Sequence, residues 1–145
     1  MHLETSIGYL LKEASSVLRT AMEEVLRPLG MTVTHYACLE LLAQRPGLSN
    51  SELARGTFVT RQSMNVLLQA LEREGQVTRP AEASVGRALP TRLTSRGRRN
   101  LEKASAAVRS VELRMLAGLS ETDRAEASRI LHSMIGSLRD GAGTT

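Results

Sequence analysis

Between Thr60 and Gln69 the chain sets out side chains suited to reading the edges of base pairs: Thr60, Arg61, Gln62, Ser63, Asn65 and Gln69. Arginine pairs with guanine, asparagine and glutamine pair with adenine, and Ser or Thr hydroxyls meet several groups. Helical spacing puts Arg61 or Gln62 with Asn65 and Gln69 on one outward face, and Leu67, Leu68 and Leu71 on the inward one. A solvated helix face is ordinarily rich in Glu and Lys, yet the first acid here is Glu72. Upstream, Ser49, Asn50 and Ser51 stand at a helix start, where unpaired backbone N–H groups can meet a phosphate. Downstream, Arg79, Arg87 and Arg92 belong to a hairpin, and Arg96, Arg98 and Arg99 follow it. Gly86 permits a tight tip, which would send Arg87 toward a narrow minor groove, where negative potential is deepest. Residues 49–99 hold nine arginines against four glutamates, a local charge of +5 within a chain whose net is +4. This is the electrostatic footprint of a duplex-DNA binder.

Other chemistries find little support. The three histidines, His2, His35 and His132, lack metal-ligand spacing, and no Cys-x-x-Cys or His-x-x-x-His pattern occurs. There is no phosphate loop, dinucleotide fingerprint or nucleophile elbow, so neither a catalytic residue, a cofactor nor a metal is expected. Cys38 is the single thiol. A redox-responsive protein using Cys38 is an alternative, as is a scaffold that binds protein, but an inert, buried Cys38 is the expectation. A lone cysteine fits a reducing compartment. The N-terminal residues lack a charged then apolar leader pattern, and no run of about 20 apolar residues suits a membrane span. A cytoplasmic protein without a membrane partner is therefore expected.

The elements that position these groups are mostly helices, because three aromatics leave a core of Leu, Val, Ala, Met and Ile. Ile7, Leu10, Ala14, Val17, Ala21 and Val25 form one stripe on a helix from about residue 4 to 26, ended by the turn around Pro28 and Gly30. Thr32 or Thr34 caps a second helix through about residue 43, burying Leu39 and Leu42. Ser49 and Glu52 form a capping box for a short third helix. Thr60 opens the fourth, and Gly75 stops it. Residues 76–79 and 89–93 read as short strands, the second placed at an edge or bulged by Pro90. Thr94 caps a long helix carrying Leu101, Ala104, Val108, Val111 and Met115. Ser120 and Asp123 open a last helix with Ala127, Ile130, Leu131, Met134, Ile135 and Leu138. Apolar terminal helices of this length favour a homodimer over a chain folded on itself.

The stretches 30–36 (Gly-Met-Thr-Val-Thr-His-Tyr), 46–54 (Pro-Gly-Leu-Ser-Asn-Ser-Glu-Leu-Ala), 71–75 (Leu-Glu-Arg-Glu-Gly) and 93–97 (Leu-Thr-Ser-Arg-Gly) resemble the MarR family of winged-helix regulators. The likeness spans about residues 5 to 138. It implies a mainly α fold with a small β-hairpin wing: a winged helix-turn-helix lobe at 30–99, dimerisation helices at 4–29 and 100–139, and a flexible tail at 140–145, within one domain over 1–145. It implies a homodimeric repressor on a pseudo-palindromic operator of double-stranded DNA, the fourth helix in the major groove and the wing in the minor. It also implies release by a small aromatic or anionic effector such as salicylate, held by Arg19, Met22, His35, Tyr36 and Arg87. An arginine beside an apolar, Tyr-bearing crevice suits an aromatic carboxylate. One departure stands out: the family's wing tip carries Asp-x-Arg, and here Val85-Gly86-Arg87 keeps the arginine and loses the acid.

Overall fold

Local chemistry decides where each helix begins. In the computed structural model, which describes residues 2–80 and 90–141, a 3-10 turn (Leu3–Thr5) precedes α1 (Ile7–Leu26), whose cap is Ser6. The helix therefore starts later than residue 4, because Ser6 accepts the Tyr9 amide. Pro28 sits in a second 3-10 turn that ends on Gly30 at φ +71. Thr32, and not Thr34, caps α2 (Val33–Gln44) by accepting the His35 amide at 3.0 Å. The Ser49–Glu52 box opens α3 (Asn50–Thr57), Thr60 caps α4 (Arg61–Arg73), and Gly75 follows α4 at φ +72. A two-stranded antiparallel hairpin joins β1 (Val77–Thr78) to β2 (Arg92–Leu93), with Val77 opposite Leu93 and Thr78 opposite Arg92. Pro90 lies outside the ladder, and Thr91 makes an isolated bridge to Leu48 that ties the hairpin to the segment before α3. Thr94 accepts the Gly97 amide and starts α5 (Ser95–Leu116). A reciprocal Ser120–Asp123 cap starts α6 (Glu121–Gly141). The last helix thus continues two residues into the segment expected to be tail.

The chain divides into two compact units, Met1–Val111 and Glu112–Thr145, with the boundary inside α5. The first has one core. Leu26 of α1, Cys38, Leu39 and Leu42 of α2, Leu53 of α3, Met64, Leu68 and Leu71 of α4, Val77 of β1, and Leu101 and Ala104 of α5 are all buried in it. Each large side chain buried there contributes about 1.5–3 kcal/mol, so three on α4 outweigh the roughly 1 kcal/mol of its Thr60 cap in fixing where that helix lies. Met64 is fully buried and Leu67 only partly, so α4 presents Met64, Leu68 and Leu71 inward; the expected Leu67 lies at the core's margin. Spacing explains the exchange: positions 64, 68 and 71 follow one helical stripe.

The second unit is chiefly α6. None of this helix's described residues is buried, and Ile130, Leu131, Ile135 and Leu138 are all exposed. In the first unit, α1 likewise exposes Ile7, Leu10, Leu11 and Val17. Among the described residues no helix is long and apolar enough to cross a membrane.

Candidate nucleic-acid interface and adjoining cavity

Helix α3 meets α4 through a three-residue turn, and this pair carries most of the predicted DNA contacts. The box at its start uses the Ser49 amide, which donates to Glu52 Oε1 at 3.1 Å, and the Glu52 amide, which donates to Ser49 Oγ at 3.2 Å. The donated Ser49 amide holds the Glu52 carboxyl below its ordinary range. The amides of Asn50 and Ser51 occupy the first two helical positions, where the helix itself offers no acceptor. The Asn50 side chain donates to the Arg61 carbonyl at 3.2 Å, so it braces the two helix starts against each other. Ser49, Asn50 and Ser51 thus sit together beside the start of α4.

On α4 the expected face is present. Thr60, Arg61, Gln62, Ser63, Asn65 and Gln69 are all exposed, while Met64, Leu68 and Leu71 anchor the opposite side. No acid lies in its first turn. Thr60 Oγ1 accepts the Ser63 amide and also donates to Ser63 Oγ at 3.0 Å, which fixes both hydroxyls at the helix start. Val66, 61% exposed, lies on the same stripe, because 62, 65, 66 and 69 follow the i, i+3, i+4, i+7 spacing. Helical spacing alone places Val66 on this face, although its apolar side chain carries no hydrogen-bonding signal.

The arginines of the hairpin divide. Arg92 is exposed on β2, its guanidinium passing close to Gly47. Arg79 departs from the expectation of a free cation: its Nε and Nη2 donate to Glu72 Oε1 at 2.9 and 2.5 Å, and its side chain is 13% exposed. That pair ties the hairpin's base to the last turn of α4. Arg87, with Val85 and Gly86, lies outside the described residues.

A cavity of about 540 Å³ lies within the first unit, against the segment that leads into α4. One wall is α1, through Arg19 and Met22; another is α2, through Val33, Thr34 and Ala37; the third is the end of α3 with the turn after it, Gly56 to Val59. Of the residues expected to hold an effector, Arg19 and Met22 line it and His35 and Tyr36 do not. Helical phase is the reason. Positions 33, 34 and 37 of α2 face the cavity, whereas His35 turns into the core, where its Nε2 donates to Gln76 Oε1 at 3.2 Å. Tyr36 is part-buried against that core and donates to Glu40 at 3.4 Å. Arg19 gives its Nε to Glu23 at 3.3 Å in an exposed pair. A guanidinium has five N–H donors, so this pair leaves most of its fork for an anion.

Cys38 is fully buried on α2 with its Sγ 3.9 Å from Met64 Sδ, and burial pushes its thiol up to about 12. Such a thiol is protonated at neutral pH, so the geometry offers nothing to a redox reading. Among the described residues, no group of three or more His, Cys, Asp or Glu side chains could hold a metal ion.

Comparison with known proteins places this geometry. A family model described as MarR family matches residues 29–88. The HTH-type transcriptional repressor Rv2887 of Mycobacterium tuberculosis is 44% identical over 131 residues, covering 90% of this chain and 94% of its own. The crystal structure of that repressor with salicylic acid superposes with a TM-score of 0.73 at 45% identity, over 90% of this chain and 96% of the other. Its complex with DNA gives 0.74 at 42% identity, over 90% and 98%.

Proposed function

The chain belongs to the MarR family, and from that premise we propose that it is a homodimeric transcriptional repressor that binds a pseudo-palindromic operator in double-stranded DNA. The observation that carries this reading is the acid-free, exposed face of α4, backed by three residues locked in the core. Its Arg, Gln and Asn side chains match the donors and acceptors of the major groove. Arg92 and the start of α3 suit phosphates, and Arg87 belongs to the same basic segment of the sequence. The related mycobacterial repressor has been crystallised with DNA, which supports the same partner here. The protein works by binding rather than by catalysis, in the cytoplasm, where its operator lies. Residues 30–99 form the reading lobe, and 4–29 with 100–139 supply the dimer contacts.

We place the effector in the cavity lined by α1, α2 and the segment leading into α4. Arg19 offers a charged fork, and Leu18, Met22 and Val33 offer an apolar floor, a combination suited to a small aromatic carboxylate. The relative's complex with salicylic acid supports that class.

Selection from a random duplex pool tests the DNA reading directly. The expected result is enrichment of a sequence with two-fold symmetry. Gln62→Ala and Asn65→Ala should each lose about 1–3 kcal/mol on the enriched duplex while binding random duplex as before. A pool without enrichment, or full discrimination by both variants, would overturn the assignment of α4.

A further inference from the structure

Phe58 is a locally costly residue with no structural return. It ends α3 at φ +62, the left-handed region that glycine ordinarily fills at this position. Its amide and that of Val59 close the helix on the carbonyls of Arg55 and Ala54, at 3.4 and 3.0 Å. Those bonds need the backbone shape and make no use of the ring. The ring does not pack either: Phe58 is 87% exposed, the most exposed large apolar side chain among the described residues. Strained backbone of this kind gathers at ligand clamps and switch points.

Its surroundings say which. Phe58 lines the cavity together with Arg19 and Met22, and stands two residues before Thr60, the cap of the reading helix. We propose that Phe58 is the aromatic clamp and signal of this cavity. A planar aromatic carboxylate is held by the Arg19 guanidinium through its anion and by the Phe58 ring through its face. Drawing the ring inward turns the backbone at Phe58 and loosens the two closing bonds. Thr60 then shifts, and with it the orientation of Arg61 to Asn65. The inference rests on the effector reading above and adds the residue that selects for an aromatic ring and passes occupancy to α4.

The chain has one phenylalanine and no tryptophan. Growth on 4-fluorophenylalanine therefore yields the full protein with a single fluorine resonance, at position 58. Salicylate is the probe and acetate the ring-free control, each followed by fluorine NMR and by calorimetry. Salicylate should move the resonance with the same midpoint as the heat, and acetate should not. Phe58→Leu should weaken salicylate binding about two- to tenfold, with Phe58→Tyr close to wild type, because aromatic pairing is worth that much beyond buried area. Arg19→Gln should weaken it as well. Heat from salicylate with an unmoved resonance, or wild-type affinity in Phe58→Leu, overturns the role of Phe58 and leaves the effector site standing. Absence of heat at millimolar salicylate overturns both.

Discussion

Val66 is a branched apolar side chain, 61% exposed, set between Asn65 and Gln69 on the polar face of α4. It stays open to solvent, and a thymine methyl in the major groove is the apolar group that a reading helix meets. Replacing that thymine by uracil in the operator removes one methyl and should cost about 0.8 kcal/mol, roughly fourfold in affinity. Val66→Ala should bind the two operators alike; a preserved fourfold preference would move the methyl contact elsewhere. Cys38 invites a different measurement. Its ordinary value of 9.0 applies to the unfolded chain, and burial raises the folded value to about 12. Below 9.0 both states hold the proton and the thiol has no effect on pH dependence. Above it the unfolded state releases the proton first, so stability falls as pH rises toward the folded value, by up to about 1.4 kcal/mol per pH unit. Urea unfolding between pH 8 and pH 10 should show that slope, and Cys38→Ala should lessen it.

Helix α5 enters the core at a point where backbone meets backbone. A Cβ on Gly97 would lie 2.2 Å from the Gln76 carbonyl oxygen and 3.2 Å from Leu93, and a carbonyl in the hairpin's base has little room to yield. Gly97→Ala should therefore destabilise the protein by about 1–3 kcal/mol, despite alanine's better helix propensity. Gly8, with nothing within 4 Å of its Cβ position, is the control: Gly8→Ala should be neutral or gain up to about 1 kcal/mol in the same denaturant titration at fixed protein concentration. The contrast between these two glycines is also the measure of what the sequence discloses. Ser49 with Glu52, Thr60, Gly75, Thr94, and Ser120 with Asp123 act within four residues of themselves, and all were legible as caps or stops. Partnerships across the chain were not. His35 finds Gln76 41 positions away, Thr91 bridges back to Leu48, and Arg79 closes on Glu72. The candidate site shows the same division. The polar face of α4 follows from period alone, whereas the phase of α2, which gives Thr34 and Ala37 to the cavity in place of His35 and Tyr36, is set by packing against α1 and α4.

For the protein as an assembly, the exposed apolar residues of α1 and α6 pose one question with two answers. Ile7, Leu10, Leu11 and Val17 on the first, and Ile130, Leu131, Ile135 and Leu138 on the last, lie between 40% and 80% exposed. Solvent contact for eight such side chains is more than scattered exposure explains, and a second copy of the chain is the partner that the family and the two-fold operator both call for. The charge distribution agrees: the +5 lies in residues 49–99, leaving −1 for the rest of the chain, so neither terminal helix brings a strong like charge to a second copy. Ile135→Glu with Leu138→Glu places two carboxylates on the α6 face. Sedimentation should then show a shift from dimer to monomer, with the helical signal largely retained because none of the described residues of α6 is buried. Operator binding should fall much further than random-duplex binding, since a monomer reads one half-site and loses the benefit of the linked second one. A doubly substituted protein that stays dimeric would place the interface on another surface, and one that is monomeric yet holds the full operator would remove the need for two-fold reading.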